Sequence, residues 1–153
     1  MAHFAAALAF PLGGDPVDLD ARAVLLDAYG QDILFLDEFT IGDAGDYTTV
    51  EGPDNLRLAI LHGFMTTPGD YKLDPSYGAG FPRYLGKPDT QSNRDEMRQA
   101  AMDFLLSDDR IQAVDSVDVT SETINGVKLS RVSSIVTAAG RQVQLGYLLQ
   151  RSN

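Results

Sequence analysis

The chain has 153 residues, 44% of them hydrophobic, which is enough for one packed domain and gives no support for a second. It carries 22 acidic and 12 basic side chains, for a formal net charge of -10. Such a charge repels nucleic acid and anionic membranes, because binding to phosphate groups depends on Lys and Arg. The sequence has no cysteine, which excludes disulfides and thiolate metal sites. The acidity has two explanations, solubility or electrostatic fit to a basic neighbour.

The first 45 residues are weakly patterned. Residues 1–12 form an apolar stretch without a basic start, far shorter than the about 18 to 20 residues of a membrane span. We interpret this stretch as an apolar arm and not as a signal peptide. Helical spacing predicts a short helix over residues 17–29, and apolar runs predict strands over residues 32–39 and 47–50.

Two helices are predicted in the middle of the chain, over residues 53–65 and 93–107. The first begins at Pro53 and carries apolar residues on two sides, which is typical of a buried helix. The second has Ser92 as a natural N-cap and Asp95 in the position of a capping-box partner. The connection between them is rich in Gly and Pro, and its packing material is aromatic: Tyr71, Tyr77, Phe81 and Tyr84.

The last third predicts β-structure. Asn125-Gly126 is a two-residue hairpin signal, and Ala139-Gly140 marks a second turn. Between them the apolar alternation slips between Leu129 and Val132, which predicts a β-bulge. Alternation on an inward face is predicted before the first turn at Ile111, Ala113, Val117 and Val119, and after the second turn at Val143, Leu145, Tyr147 and Leu149. The fold class predicted is α+β, with two core helices packed on a C-terminal antiparallel β-meander of about three strands.

The residues that carry chemistry are few and scattered. Two histidines are present, His3 in the apolar arm and His62 inside a predicted buried helix, so neither a Ser/His triad nor a zinc site is expected. The glutamates show no pairing suited to glycoside hydrolysis. The closely spaced aspartates near residue 15 lack the pattern of a calcium loop. We therefore predict no catalytic residue, no metal ligand and no cofactor.

Five short segments nevertheless form an ordered series: GDY at 45–47, VEGPDNL at 50–56, TTPG at 66–69, DPSYGAGF at 74–81 and SDDRI at 107–111. In order and spacing this series resembles the lysozyme-like baseplate wedge family of contractile phage tails, which also includes a baseplate subunit of type VI secretion systems. The resemblance spans residues 46–149. It implies an N-terminal arm and extension over residues 1–45, followed by a wedge domain over residues 46–153.

The resemblance also implies a function, that of a sheath initiator. Members of this family sit in the baseplate around the tube, dock on the wedge core and template the first sheath ring. The implied partners are baseplate wedge proteins, the tail sheath protein and tube or hub proteins, with several copies of the chain in a ring. The implied location is the virion tail baseplate, with assembly in the host cytoplasm. Two alternatives stay open, a peptidoglycan hydrolase of the baseplate and a small cytosolic adaptor on the same fold.

The resemblance implies three sets of partner-binding residues. The family motif of an acidic residue, Pro and Arg corresponds to Asp108, Asp109 and Arg110, with Asp109 in place of the proline. This turn is predicted to dock on the wedge, or else to form an internal Arg–Asp pair at the helix end. The loop positions that match the family are Tyr77, Gly78 and Gly80, whose glycines have turn geometry as their alternative role.

The third set lies on the final strand. Val143, Leu145 and Tyr147 are predicted to take part in strand addition with the sheath, and the alternative is an ordinary core strand.

Overall fold

The computed structural model of the protein describes residues 24, 26–35, 41–42 and 45–150. The apolar arm, most of the predicted helix at 17–29 and the end of the predicted strand at 32–39 lie outside these residues. The described residues fall into two compact units, one that ends at Ile60 and one that begins at Leu61. The predicted division between residues 45 and 46 stays a prediction. Within the described part, no helix is long and apolar enough to cross a membrane.

The first unit contains a small antiparallel pair of strands. β1, Gln31–Ile33, pairs with β2, Thr49–Glu51, and both overlap the predicted strands. Residues 26–29 are helical, in agreement with the end of the predicted short helix. The side chain of Asn55 is buried and donates from Nδ2 to the carbonyl oxygen of Tyr29 at 2.8 Å. This bond satisfies a buried amide and fixes the chain before β1.

The first long helix, α1, spans Pro53–Met65 as predicted. Gly52 precedes it with φ 67°, and Pro53 occupies the first helical position, where its missing N–H costs nothing. None of the thirteen residues of α1 is exposed, which confirms the expectation of a helix that is apolar on two sides. Its fully buried side chains include Leu56, Leu58 and Ile60.

The second long helix, α2, spans Gln91–Leu106, and its start differs from the prediction. The N-cap is Thr90, which has an extended backbone and accepts a hydrogen bond from the Asn93 N–H at 3.2 Å. Ser92 lies inside the first turn, and Asp95 bonds to side chains along the helix. The predicted capping box is therefore wrong, because an equally suitable cap two residues earlier starts the helix first.

The C-terminal sheet is an antiparallel meander with the order β3-β4-β5. Its strands are β3, Ile111–Ile124, β4, Val127–Ala138, and β5, Arg141–Gln150. α2 packs against β3, which confirms the predicted α+β class. Both turns have two residues with positive φ, 51° and 79° at Asn125-Gly126 and 49° and 69° at Ala139-Gly140, the requirement of a type I′ hairpin.

The predicted bulge in β4 is wrong. The pairing of β4 with β3 is continuous from Val127 to Val132, and the register shifts lie in β3 near Ile111 and Val114 instead. The apparent slip arises because Ser130 and Ser134 occupy the buried face of β4, where an apolar residue was expected. The shifts in β3 also leave Ala113 exposed, contrary to its predicted inward position.

Candidate functional site

The loop that follows α1 is fastened to the last turn of that helix. The Ala79 N–H donates to the Gly63 carbonyl and the Gly80 N–H to the Thr66 carbonyl, both at 2.9 Å. Gly78 has φ 112°, and a Cβ there would lie 2.3 Å from the Thr66 carbonyl oxygen. The carbonyl of Thr66, just after the helix, and that of Gly63, which also accepts from the Thr66 N–H at 3.2 Å, thus both accept hydrogen bonds from this loop. Only glycine fits at residue 78.

Gly80 is the second glycine that shapes this loop. Its φ is 67°, and it immediately precedes a 3-10 helix at Phe81–Tyr84. A Cβ at residue 80 would lie 3.1 Å from Cδ of Pro68. Gly78 and Gly80 therefore have the turn role that was their alternative, because glycine adopts positive φ without strain. Their contact with a partner stays a prediction.

An aromatic cluster joins this loop to the core of the second unit. Phe64 stacks on Phe81 with ring centroids 4.5 Å apart. Tyr77 meets Phe104 edge-on at 5.5 Å, and Tyr147 lies 5.9 Å from Phe81. Such pairs contribute about 0.5–1.5 kcal/mol each beyond the area they bury. Two predicted partner-binding residues, Tyr77 and Tyr147, thus belong to the packing of this chain.

Asp108 and Arg110 form the internal pair that was the alternative to a free docking fork. Arg110 donates from Nε to Asp108 Oδ1 at 2.9 Å and from Nη2 to Oδ2 at 2.6 Å. Its backbone N–H also donates to Oδ1 at 3.0 Å. The Asp108 carbonyl accepts from the Ile111 N–H at 2.9 Å, which closes the turn between α2 and β3. The side chain of Asp109 is exposed.

The charges of this pair are stabilised by their mutual contact. Burial acts to raise the pKa of Asp108, but the hydrogen bonds from Arg110 outweigh it and hold that pKa below its usual value. The bonds to Asp108 raise the pKa of Arg110. Burial raises the pKa of Tyr77 nearby, and the negative charge of Asp108 raises it further. Asp108 is therefore an anion and Tyr77 a neutral phenol near neutral pH.

An open cleft of about 560 Å³ lies between the loop that follows α1 and the C-terminal half of α2. Three predicted residues, Tyr77, Gly78 and Asp108, line it. Its charged lining consists of Asp74, Arg83, Asp103 and Asp108. Hydrogen bonds from the Ser76 side chain and backbone hold the pKa of Asp74 below its usual value. The cleft thus presents three carboxylates and one guanidinium.

The residues predicted on the final strand lie elsewhere. Val143, Leu145 and Tyr147 are buried and alternate on the inward face of β5, as the spacing predicts. Burial also raises the pKa of Tyr147 to about 12. β5 is an edge of the sheet among the described strands. Since these side chains point into the core, strand addition at this edge would involve the backbone of β5, and the predicted contact stays a prediction.

Sequence reasoning missed the part of the cleft that α2 supplies. Asp103 and Arg83 carry no motif in the sequence. Ala100, Asp103, Phe104 and Ser107 follow helical spacing and line one wall, so that spacing was the available signal. Among the described residues there is no group of three side chains suited to holding a metal ion.

No family model and no curated protein matches the chain. Two solved structures share its fold. A proposed tail lysozyme from Geobacter sulfurreducens aligns with TM-score 0.53 and 16% identity over 76% of this chain and 98% of that chain. A chain of the anti-feeding prophage baseplate, solved by cryo-EM with 6-fold symmetry, aligns with TM-score 0.54 and 14% identity over 86% and 90% of the two chains. The fold of this protein is thus one found in a prophage baseplate.

Proposed function

We propose that the chain is a structural subunit of a contractile tail baseplate, which docks on the wedge proteins and initiates the sheath. The observation that carries the proposal is the shared fold with a baseplate chain over 86% of this chain and 90% of that one. The ordered segments at residues 45–111 support the same family independently of that comparison. In this role several copies form a ring around the tube, in line with the 6-fold symmetry of the related baseplate.

Three of the described carboxylates are unsuited to the acid step of glycoside hydrolysis. A glycosidase needs one carboxyl whose pKa is raised so that it can act as the general acid. In the cleft, Asp74 and Asp108 have lowered pKa values, the first through bonds from Ser76. Bonds from Arg131 likewise lower the pKa of Glu122. We therefore propose that the chain is not an enzyme.

Two surfaces are suited to the proposed contacts. The turn after α2 exposes Asp109, and the Asp108–Arg110 pair fixes its shape for docking on the wedge. The edge of β5 has the geometry for strand addition by the sheath, since a sheet edge offers backbone donors and acceptors. The tube or hub proteins are further neighbours in this proposal.

The proposed role as sheath initiator is tested by assembly of the contractile particle whose genes accompany the gene for this chain. Deletion of the gene is expected to give tail tubes without sheath in electron micrographs, and the intact gene supplied in trans restores the sheath. Normal sheathed particles in the deletion strain would overturn the proposal.

A zymogram of the purified chain on peptidoglycan tests the enzyme alternative. No clearing is expected. A clearing band that Asp103→Asn abolishes would instead support a hydrolase.

A further inference from the structure

In the loop between α1 and the 3-10 helix, the side chain of one leucine is exposed to solvent. We call residues 70–76 the tip loop. Leu73 at its tip is 85% exposed, the largest value among the exposed large hydrophobic side chains of the described residues. Tyr71 on the same loop is 48% exposed. Single exposed leucines are common on protein surfaces, so exposure alone decides nothing.

The tip loop is fixed by hydrogen bonds that do not involve Leu73. The Gly69 N–H donates to the Pro75 carbonyl at 2.9 Å across the base of the loop. Asp74 Oδ1 accepts from the backbone and the hydroxyl of Ser76 at 3.0 and 2.6 Å. The Tyr77 N–H donates to the Asp74 carbonyl at 3.1 Å. The fold has thus already ordered the loop, which lowers the entropy cost of binding a partner through it.

The tip loop continues into the wall of the cleft. The ring of Tyr71 lies edge-on to Tyr77 at 5.9 Å, and Tyr77 contacts Phe104 at 5.5 Å. An apolar path therefore runs from the tip loop to α2. A partner seated on the loop would cover both the apolar tip and the mouth of the cleft.

The charge around this path is negative. Residues 68–78, Arg83 and residues 103–110 together carry five carboxylates and three basic groups, which gives a net charge of -2. Arg110 is already bonded to Asp108, and Arg83 donates to the hydroxyl of Tyr84 at 2.8 Å. Two of the three cations are thus bonded within the chain, while Lys72, Asp70 and Asp109 are exposed and the net charge of the surface stays negative. The complementary partner is basic.

We infer that the tip loop and cleft bind a basic protein segment, with Leu73 inserted among apolar side chains and the flanking carboxylates facing Lys or Arg of the partner. The inference rests on the proposed function, since it names the chemistry of a docking partner. It differs from docking through the guanidinium of Arg110, which is bonded to Asp108. Nucleic acid is disfavoured because its phosphates meet the same carboxylates with like charge.

The test is the binding of two synthetic amphipathic peptides to the full chain, measured by fluorescence anisotropy. The peptides have the same length and leucine pattern, and one carries Lys where the other carries Glu. We expect the Leu/Lys peptide to bind, with an affinity that falls as salt is raised, and the Leu/Glu peptide not to bind. Leu73→Ser should weaken binding roughly tenfold, because burial of one leucine side chain is lost.

The matched control is Ile124→Ser. Ile124 is 43% exposed beside the Asn125-Gly126 turn, far along the chain from the tip loop, and its loss should leave peptide affinity unchanged. Equal effects of the two substitutions, or equal binding of the two peptides, would overturn the inference. Self-association that Leu73→Ser abolishes would also overturn it, since the occupant would then be a second copy.

Incorporation into particles separates this inference from the proposed function. If wild-type chain and Leu73→Ser both enter sheathed particles equally, the function stands and the inference fails. If the wild-type chain enters no particle, the proposed function fails, and the peptide measurement alone decides the inference.

Discussion

Gly63 of α1 lies directly beneath the ring of Phe104 from α2. A Cβ at residue 63 would come within 1.8 Å of Cζ of that ring, so the side chain of Phe104 fills the space that any other residue at 63 would need. The same ring also contacts Phe64 at 5.8 Å and Tyr77 at 5.5 Å. This one close approach therefore joins the two long helices to the loop that lines the cleft.

Gly63→Ala should destabilise the protein by about 2 kcal/mol, although alanine favours a helix interior by about 1 kcal/mol over glycine. The overlap with Phe104 outweighs that gain. Urea unfolding measures the change, and Gly146→Ala is the control, because a Cβ at residue 146 has nothing within 4 Å. Adding Phe104→Leu to Gly63→Ala should recover part of the loss, and strict additivity of the two changes would contradict this account.

Gly78→Ala should cost more than Gly69→Ala. Both glycines have positive φ, 112° and 97°, so each substitution carries a conformational cost of about 1 kcal/mol or more. At residue 78 the Cβ also meets the Thr66 carbonyl oxygen at 2.3 Å, whereas at residue 69 it meets nothing within 4 Å. We expect a difference of about 2 kcal/mol in the free energy of unfolding. Equal losses would show that the approach to Thr66 is not what requires glycine.

The Asp108–Arg110 pair should make stability depend on acid pH. Since the folded pKa of Asp108 lies below the value of an aspartate in the unfolded chain, its contribution is fully present above that unfolded value and is lost as pH falls through the folded pKa. Asp108→Ala should cost about 1–2 kcal/mol at pH 7. The gap between wild type and variant should shrink below about pH 4.

Asp109→Ala serves as the control for that series, because its side chain is exposed beside the pair. Thermal unfolding at fixed ionic strength from pH 7 to pH 2.5 gives both comparisons. A gap between wild type and Asp108→Ala that stays constant over this range would count against the pair as its cause.

Tyr147 should make stability depend on alkaline pH. Its folded pKa is raised to about 12, so the folded state keeps the phenol proton while the unfolded tyrosine ionises from pH 10 upward. The contribution of Tyr147 to stability is then constant below pH 10 and falls between pH 10 and pH 12, by about 2–3 kcal/mol. Tyr147→Phe has no phenol to ionise and lacks this loss. Its stability relative to wild type should therefore rise over that interval, as measured by urea titrations. Parallel curves from pH 8 to pH 12 would contradict the assignment.

The buried serines of β4 offer a fifth measurement. Among the described residues, the hydroxyls of Ser130 and Ser134 have no hydrogen-bond partner, and the two residues are 0% and 1% exposed. Ser134→Ala removes a buried polar group without opening a large cavity, and we expect stability to rise by about 1 kcal/mol. Ser133→Ala on the opposite face should leave it unchanged. Loss of stability in Ser134→Ala would indicate that its hydroxyl is satisfied in solution.

The elements that the sequence predicts well are those whose signals are local. Pro53 at a helix start and Asn125-Gly126 at a hairpin turn act through their own backbone preferences, and both lie where expected. The predicted N-cap of α2 is wrong because Thr90 and Ser92 are equally suitable and lie two residues apart. Local preference alone cannot choose between them.

The features of the fold and of the site that the sequence does not predict depend on contacts between residues that are distant in sequence. The serines of β4 look like solvent-facing positions, and only the pairing of three strands places them inward. The spacing of Asp108 and Arg110 allows both a free fork and an internal pair, and the three-dimensional turn selects the pair. The wall contributed by Asp103 becomes visible only once the loop has folded beside α2.

The two tight turns of the meander have a consequence for how the chain reaches its fold. β3, β4 and β5 are consecutive and each pairs with its neighbour, so their contacts require the closure of very short loops. Low contact order speeds folding. We therefore expect these strands to pair before α1 and the tip loop reach their folded positions. A truncation inside the last strand would then remove part of the structure that is expected to form first.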